Sequence, residues 1–509
     1  MKQTSSQTGV NIFGHIDGGF GLAKVPKYFM HAFEKCRLPF CVRTVETSNS
    51  LKESHSFNNS HQLDHPFNLY FVNPDSIKGM KRKLSPADYL KKYEIAIWYW
   101  ELEKFPDFFY SAFSAVNEIW VNTNFVRQSL AAVSPVPVMT IPLPYSPPVW
   151  KKTQPPFKKE HFTFLYIFDY NSDFERKNPL GAVRAFKKAF PNNFDVRLIL
   201  KSSNSHSFPE CKKILENETS GDPRIFLMDR PLPRSELYDL IHACDAFVSL
   251  HRSEGFALNV LDAISLGKPA ITTGYGGNMD YMDRDYPFLV SYKKIKVKAH
   301  LEFYQIDCEW ADPDLADAAH KMKFIYEHYE QAKIASQLAR DKILLNFNPD
   351  KTARAVRNRL NEIQTLGLFK RAITIKKPFE DEFFRLRHLI KETKGLCILL
   401  FYTVRKERLL KILHCIKETD SSIQVHIFGR EDTGLAKAAD DYYIYKDKGF
   451  YEAGKVDKKW FKNKKYDFCL IPFYNYRGST YQNVFEILQD LKVKNIIGLG
   501  IEGDIFRVS

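Results

Sequence analysis

The 509-residue chain has no apolar run that approaches the roughly 18–20 residues needed to span a bilayer. Its opening residues, Met1 to Thr8, lack the apolar core of a secretory signal. These absences argue against a helical membrane protein or an exported one and point to a cytoplasmic setting. Cysteine is scarce: there are eight, without a C-x-x-C pair. The closest two, Cys36 and Cys41, have no histidine cluster beside them. That argues against a zinc site or a disulfide framework and for free thiols in a reducing compartment. There is no Walker-type phosphate loop, no sustained heptad, and no internal repeat with a period of roughly 20–50 residues.

What is present is ordinary in bulk and uneven in charge. Hydrophobic residues make up 44% and charged residues 26%, as in a folded globular protein, and the length calls for two or three domains. The net charge is +14. A basic surface suits nucleic acid, anionic lipid or phosphorylated substrates. The lysines are spread out, with short clusters at Lys81–Lys83, Lys293–Lys294 and Lys458–Lys459. Scattered charge of this kind reads first as solvated surface. The functional alternative is peripheral attraction to an anionic membrane carrying a lipid-linked acceptor. No basic-aromatic motif supports nucleic-acid binding.

Along the chain, strand and helix patterns alternate. Val10–Phe13 reads as a strand, then Gly14–Gly21 as a glycine-rich loop. A helix follows from about Leu22 to Cys36, with Val25, Phe29 and Phe33 at four-residue spacing. Strand, glycine loop, helix is a phosphate-cradling unit, although glycine also serves such turns for steric reasons alone. Ser48–Pro66 reads as a loop. Glu94–Trp100 reads as a strand ending in Glu101–Glu103, Phe108–Val116 as helical, and Glu118–Val121 as a strand. Asn122–Asn124 then caps a helix starting near Phe125. Eight prolines between Pro135 and Pro156 mark an interdomain connection, with a short strand near Val138–Ile141.

A second series begins at Phe162–Phe168. It continues with a turn carrying Arg176 and Lys177, a helix to Phe190, and strands at Val196–Leu200 and Ile225–Met228. Then come a helix at Pro233–Ala243 and a buried strand at Asp245–His251. Helices are expected from Leu315, from Ala332 to Leu345, and from Thr352 to Leu366. From about Gly395 onward, five strand-like segments and two helices, Arg405–Lys417 and Tyr481–Leu491, read as a small third α/β domain. Gly478–Asn483 opens the last helix and reads as a plain N-cap or an anion site. The alternation predicts an α/β fold of parallel, doubly wound, Rossmann-like sheets, with ligands bound beyond the carboxyl ends of the strands. The expected domains are 1–150, 151–370 and 390–509.

The most informative string is Ser253–Asp262, followed by Ala263–Pro269. It places Glu254 at a strand-to-helix turn and Asp262 eight residues later. Alone, Glu254 reads equally well as the acidic start of an amphipathic helix, which the helix dipole favours. With its flanks, Gly267–Pro269 leading to the strand Ala270–Thr273 and the loop Gly274–Asn278, the string reads as a nucleotide-sugar site. Glu254 accepts from sugar hydroxyls, and the N–H groups of Phe256, Ala257 and Leu258, after Gly255, face the phosphates. Asp262 holds the ribose. If the interval is helical it rises about 12 Å, roughly the span from a hexose across two phosphates to a ribose. Arg176 and Lys177 beside a helix start suit a diphosphate, or a solvated charged turn.

Residues from about 10 to 365 resemble the retaining glycosyltransferases of the GT-B fold, family 4, the group 1 glycosyltransferases. The resemblance rests on the E-x7-E-like Glu254–Asp262 string, the Gly18–Gly21 loop and the Arg176–Lys177 pair. Asp262 stands where the family has a second Glu, and Ser172 where it usually has an Arg. The resemblance implies two Rossmann-like domains facing across a cleft, the acceptor bound mainly to the first and the nucleotide-sugar to the second. It implies a hexosyltransferase-type enzyme that retains anomeric configuration and needs no metal or other cofactor. It also implies a saccharide or lipid-linked acceptor and a setting in bacterial surface polysaccharide or lipopolysaccharide assembly. Gly19 is the expected diphosphate-loop contact, Glu254 and Lys177 the expected catalytic pair. Glu101 is the first-domain group expected near the anomeric carbon. The alternative is a catalytically degenerate, glycosyltransferase-like binding or assembly protein.

Overall fold

The computed structural model describes residues 8–18, 21–45, 57, 59–60, 62–147, 160–297, 304, 308–368 and 390. Beyond these it describes 397–401, 406–429, 433–445, 456, 458–461, 464–472, 484, 487–488, 496–499 and 505–508. Gly19, most of Ser48–Phe57, the prolines from Pro148 to Pro156, Gly478–Asn483 and most of Tyr481–Leu491 lie outside the described residues.

The first sheet comprises β1 (Val10–Gly14), β2 (Phe40–Thr44), β3 (Phe67–Phe71), β4 (Tyr93–Ile97), β5 (Glu118–Val121) and β6 (Val138–Thr140). Its order is β2-β1-β3-β4-β5-β6, with every neighbouring pair parallel. Strands β1, β3, β4 and β5 are buried at every position. Parallel strands are covered on both faces, so these are mostly apolar, with Asn11, Asn68, Glu94 and Glu118 as buried exceptions. Helix α1 (Gly21–Cys36) follows β1 and buries Val25, Phe29 and Phe33 completely, as its four-residue spacing requires. Helices α2 (Pro74–Arg82) and α3 (Asn124–Ala131) complete this half; the Thr123 hydroxyl caps α3 by accepting from the Val126 N–H at 3.3 Å. The segment expected as a helix near Phe108–Val116 is a 3₁₀ helix, Asp107–Ala115.

The second sheet comprises β7 (Phe162–Ile167), β8 (Val196–Ser202), β9 (Ile225–Asp229), β10 (Ala246–Ser249), β11 (Ala270–Thr273) and β12 (Leu289–Val290). Its order is β12-β11-β10-β7-β8-β9, again parallel. Between them run α4 (Phe174–Lys177), α5 (Pro179–Ala189), α6 (Pro209–Thr219), α7 (Arg234–Ala243) and α8 (Leu258–Ser265). An antiparallel ribbon, β13 (Tyr292–Lys296) with β14 (Glu309–Pro313), precedes α9 (Leu315–Glu327), α10 (Tyr329–Asn346) and α11 (Pro349–Thr365).

Helix α11 returns to the first sheet. The Arg359 guanidinium donates to both oxygens of Glu118 on β5, at 2.9 and 2.8 Å. Glu118 is fully buried and also accepts from Trp120 Nε1 at 2.8 Å and the Tyr93 hydroxyl at 3.2 Å. Arg357 donates to the Cys36 carbonyl at 2.7 Å, and Thr352 to the Pro142 carbonyl at 3.0 Å. The two sheets and these helices form one compact unit.

A second unit holds the third sheet. It comprises β15 (Cys397–Phe401), β16 (Gln424–Gly429), β17 (Asp441–Ile444), β18 (Phe468–Pro472), β19 (Ile496–Leu499) and β20 (Ile505–Val508), in the order β17-β16-β15-β18-β19-β20. All pairs are parallel except β19 with β20, and this antiparallel edge strand had no clear signal in the sequence. Alternate residues serve opposite faces. Ile398, Leu400, Val425 and Ile427 pack with Leu409, Ile412 and Ile416 of α12 (Lys406–Thr419) and with Leu435 of α13 (Thr433–Ala438). Leu399, Phe401 and Phe428 pack on the other face with Trp460 and Phe461.

Candidate active site

Strand order reverses between β1 and β3 in the first sheet and between β10 and β7 in the second. Such reversals open a crevice beyond the strand ends. A pocket of about 420 Å³ is lined by residues from both crevices. The first sheet contributes Gly21, Lys24, Asn73, Tyr99 and Glu101, and the second contributes Asp169, Ser172, Arg176, Lys177, Lys201 and Glu254 to Val260.

Lys177 ends the four-residue helix α4. Two residues with left-handed backbone bracket that turn: Asp173 at φ 70° and Asn178 at φ 53°. Asp173 caps it by accepting from the Arg176 N–H at 2.9 Å. Asn178 accepts from the Gly181 N–H at 3.1 Å and donates to the Leu250 carbonyl at 2.8 Å, tying the turn to the end of β10. The Tyr166 hydroxyl donates to the Lys177 carbonyl. Strain of this kind persists only where surrounding bonds enforce it. Here it fixes where two cations point.

They point at Glu254. Lys177 Nζ is paired with Glu254 Oε1, and Arg176 Nη1 lies 3.4 Å from Oε2. Arg176 is buried and donates to the Ser253 carbonyl at 2.9 Å and the Ser172 carbonyl at 2.8 Å. The arginine from position 176 therefore occupies the space beside Ser172. Glu101 joins the cluster from the first sheet, its Oε1 4.0 Å from Arg176 Nη2. Burial opposes ionisation of Glu254, but the charges of Lys177 and Arg176 outweigh it and hold its carboxyl down at about 2. For Lys177 burial wins over the attraction of Glu254, so its ammonium loses a proton more readily than a free lysine. Fully buried His251 has Nε2 3.1 Å from the Tyr275 carbonyl and Nδ1 3.0 Å from the Ser249 hydroxyl. A carbonyl can only accept, so Nε2 carries the proton and the ring, its pKa pushed down by burial, is neutral.

Backbone contact positions Glu254 further. A Cβ on Gly255 would lie 2.7 Å from the Trp100 carbonyl, and one on Gly277 would lie 1.9 Å from the Gly255 carbonyl. The Gly277 N–H donates to the Glu254 carbonyl at 2.7 Å. The Gly274–Asn278 loop thus supports the acid from behind, a purpose its glycines did not reveal in sequence.

The interval to Asp262 is not one helix. Glu254 to Ala257 is loop, Ala257 has φ 65°, and α8 starts at Leu258 with no side-chain cap. The straight helical rise expected over that interval therefore does not apply, because an αL residue interrupts it. Gly255, Phe256, Ala257 and Leu258 line the pocket as expected. Asp262 is fully buried and is not among the lining residues. Its carboxylate accepts from Lys24 Nζ at 3.1 Å and from the Tyr145 hydroxyl at 3.0 Å. Lys24 does line the pocket, so Asp262 holds a first-sheet cation at its wall. Lys24, Asn73, Asp169 and Lys201 were not singled out from sequence. Lys24 interrupts the apolar face of α1, and Lys201 lies just past the expected end of its strand; those were the available signals. Among the described residues, no three of His, Cys, Asp and Glu are grouped to hold a metal ion.

Residues 151–298 match the family described as Glycosyl transferases group 1. No curated protein matches the chain. Among solved structures, sucrose-phosphate synthase from Thermosynechococcus elongatus is similar at 11% identity and TM-score 0.51, over 71% of this chain and 100% of that one. The Anabaena protein HepE, in complex with UDP and glucose, gives 11% identity and TM-score 0.49 over 70% and 100%. The pneumococcal O-GlcNAc transferase GtfA, in complex with UDP and GlcNAc, gives 16% identity and TM-score 0.41 over 58% of this chain. The match spans 57% of the GtfA chain. At 11% identity the likeness to the sucrose-phosphate synthase speaks to the fold alone, which is GT-B.

Proposed function

We propose that this chain, a GT-B protein whose residues 151–298 match the group 1 glycosyltransferases, moves a sugar from a nucleotide-sugar to a saccharide or lipid-linked acceptor with retention of configuration. Bacterial surface polysaccharide or lipopolysaccharide assembly is the setting this reading favours. The observation that carries it is the Lys177–Glu254–Arg176 cluster in a pocket lined from both switch points.

In this reaction the bond from the anomeric carbon to the β-phosphate oxygen breaks. The acceptor hydroxyl oxygen bonds to that carbon on the same face, and its proton passes to the departing phosphate. Negative charge grows on the diphosphate while the sugar acquires oxocarbenium character. In the ligand-free pocket Glu254 holds Lys177. Sugar hydroxyls donating to Glu254 free Lys177 to meet the departing phosphate. The starts of α1 and α8 both line the pocket, and each carries about half a positive charge. Preorganised cations and N–H groups of this kind let the step proceed without a divalent metal. Asp262 acts through Lys24, setting that cation against the donor.

With purified protein and a competent donor, Glu254→Gln and Lys177→Met are expected to lower kcat by on the order of 10²–10³-fold, the loss typical of a removed charge stabiliser. Circular dichroism should show both variants folded. Wild-type turnover by either folded variant would remove the mechanism.

A further inference from the structure

Lys201 is the sixth of seven residues in β8 and is 6% exposed. It lines the pocket, yet its ammonium donates no hydrogen bond and forms no ion pair among the described residues. The ammonium is thus left to whatever fills the pocket. In the order β10-β7-β8 it sits two strands from β10, which leads to Glu254. At about 4.8 Å per strand, that places it roughly 10 Å across the sheet from the sugar-side cluster.

The charges facing Lys201 show what kind of partner is missing. Asp169 and Asp229 favour its charge, while Lys24 and Arg230 oppose it. Lys24 is neutralised by Asp262. Asp169 already accepts from Asn204 Nδ2 at 2.8 and 3.0 Å and from the Asn171 N–H at 2.9 Å. Asp229 accepts from the Ser202 hydroxyl at 2.9 Å and from that of Ser205. Arg230 has its own partner, its Nη1 lying 3.5 Å from Glu236 Oε2. Asp169 and Asp229 are thus left to balance Lys201 alone, and no surplus positive charge is left to draw a second anion. The unmet need is for a neutral acceptor. Ile167, Phe168, Leu237 and Val260 line the same pocket and offer apolar surface to a flat ring.

Resting on the donor site proposed above, we propose that Lys201 reads the donor's nucleobase by donating to a ring carbonyl oxygen. It thereby selects uracil or guanine over adenine, which has no carbonyl. The diphosphate then lies between the starts of α1 and α8, and the sugar lies at Glu254.

Calorimetry on the full chain with UDP, GDP, ADP and inorganic pyrophosphate tests this. In the wild type, UDP or GDP should bind at least tenfold more tightly than ADP. Lys201→Met, nearly equal in length, should erase that preference and leave pyrophosphate affinity unchanged. Equal or tighter ADP binding by the wild type would overturn the proposal, even if the variant failed to fold. So would a variant that loses all four ligands alike, since Lys201 would then act on phosphate; the donor-site reading would survive both results. If no nucleotide binds at all, the donor-site reading falls and takes this assignment with it.

Discussion

At the scale of single residues, the site rests on one acid held by two cations. The folded Glu254 carboxyl titrates at about 2 rather than its usual 4.5. A depressed carboxyl contributes stability that is fully present above its unfolded pKa and is lost as pH falls through the folded value. The contribution should therefore fade between about pH 4.5 and pH 2. Thermal unfolding of the wild type and Glu254→Gln across that window should show a gap that narrows as pH falls. A constant gap would mean that Glu254 is not ionised in the folded cluster. Gly277 makes a separate case, because an added Cβ meets the Gly255 carbonyl at 1.9 Å. Gly277→Ala should displace Glu254 and lower kcat by on the order of 10²-fold, as small misplacements do. Unchanged turnover would show that the loop does not position the acid. Glu254, Lys177 and Arg176 were legible because cations and an acid at strand-to-helix turns carry a chemical signature. Asp262 was read from its spacing as the ribose acid, but it lies buried outside the pocket lining, where it holds Lys24. Its partners Lys24 and Tyr145 lie 238 and 117 residues away, and no local pattern encodes such contacts.

At the scale of elements, most of the parallel strands were readable because burial on both faces makes them predominantly apolar, whereas β2, β3 and β12 were not singled out. The start of α8 was not, because it depends on Ala257 adopting a left-handed backbone, which alanine does not advertise. The edge strand β20 offers only Ile505–Val508 to read, and pairing on one side alone leaves its pattern weak. Helix α11 is the element whose packing makes the strongest claim. Its Arg359 is the only cation bonded to Glu118 among the described residues, and that carboxylate is fully buried on β5. Removing one partner of a buried pair leaves an uncompensated charge. Arg359→Met should destabilise the unit by about 3–5 kcal/mol, read from denaturant unfolding. A loss near zero would show that Glu118 is neutral or relaxes toward water.

At the scale of the whole molecule, the two facing sheets are tied by contacts clustered around the pocket. The Thr123 hydroxyl donates to the Gly255 carbonyl at 3.0 Å, and Asp280 accepts from the first N–H groups of α3 at 2.9 and 3.1 Å. The Ser253 hydroxyl donates to the Glu101 carbonyl. A ligand held between two such halves must stabilise the unit by mass action, by about 2.7 kcal/mol at a hundred times its Kd. No helix among the described residues is long and apolar enough to cross a membrane, and the +14 charge was legible only as a bulk property. The third sheet was legible as α/β, but its strands carry no motif from which a role could be read. The central claim, a nucleotide-sugar site built on Lys177 and Glu254, is tested most directly by thermal unfolding of the full chain against a panel of nucleotide-sugars. The expected result is a saturable rise in Tm with one donor, abolished by Lys177→Met. No rise with any donor, or an equal rise in the variant, would contradict it.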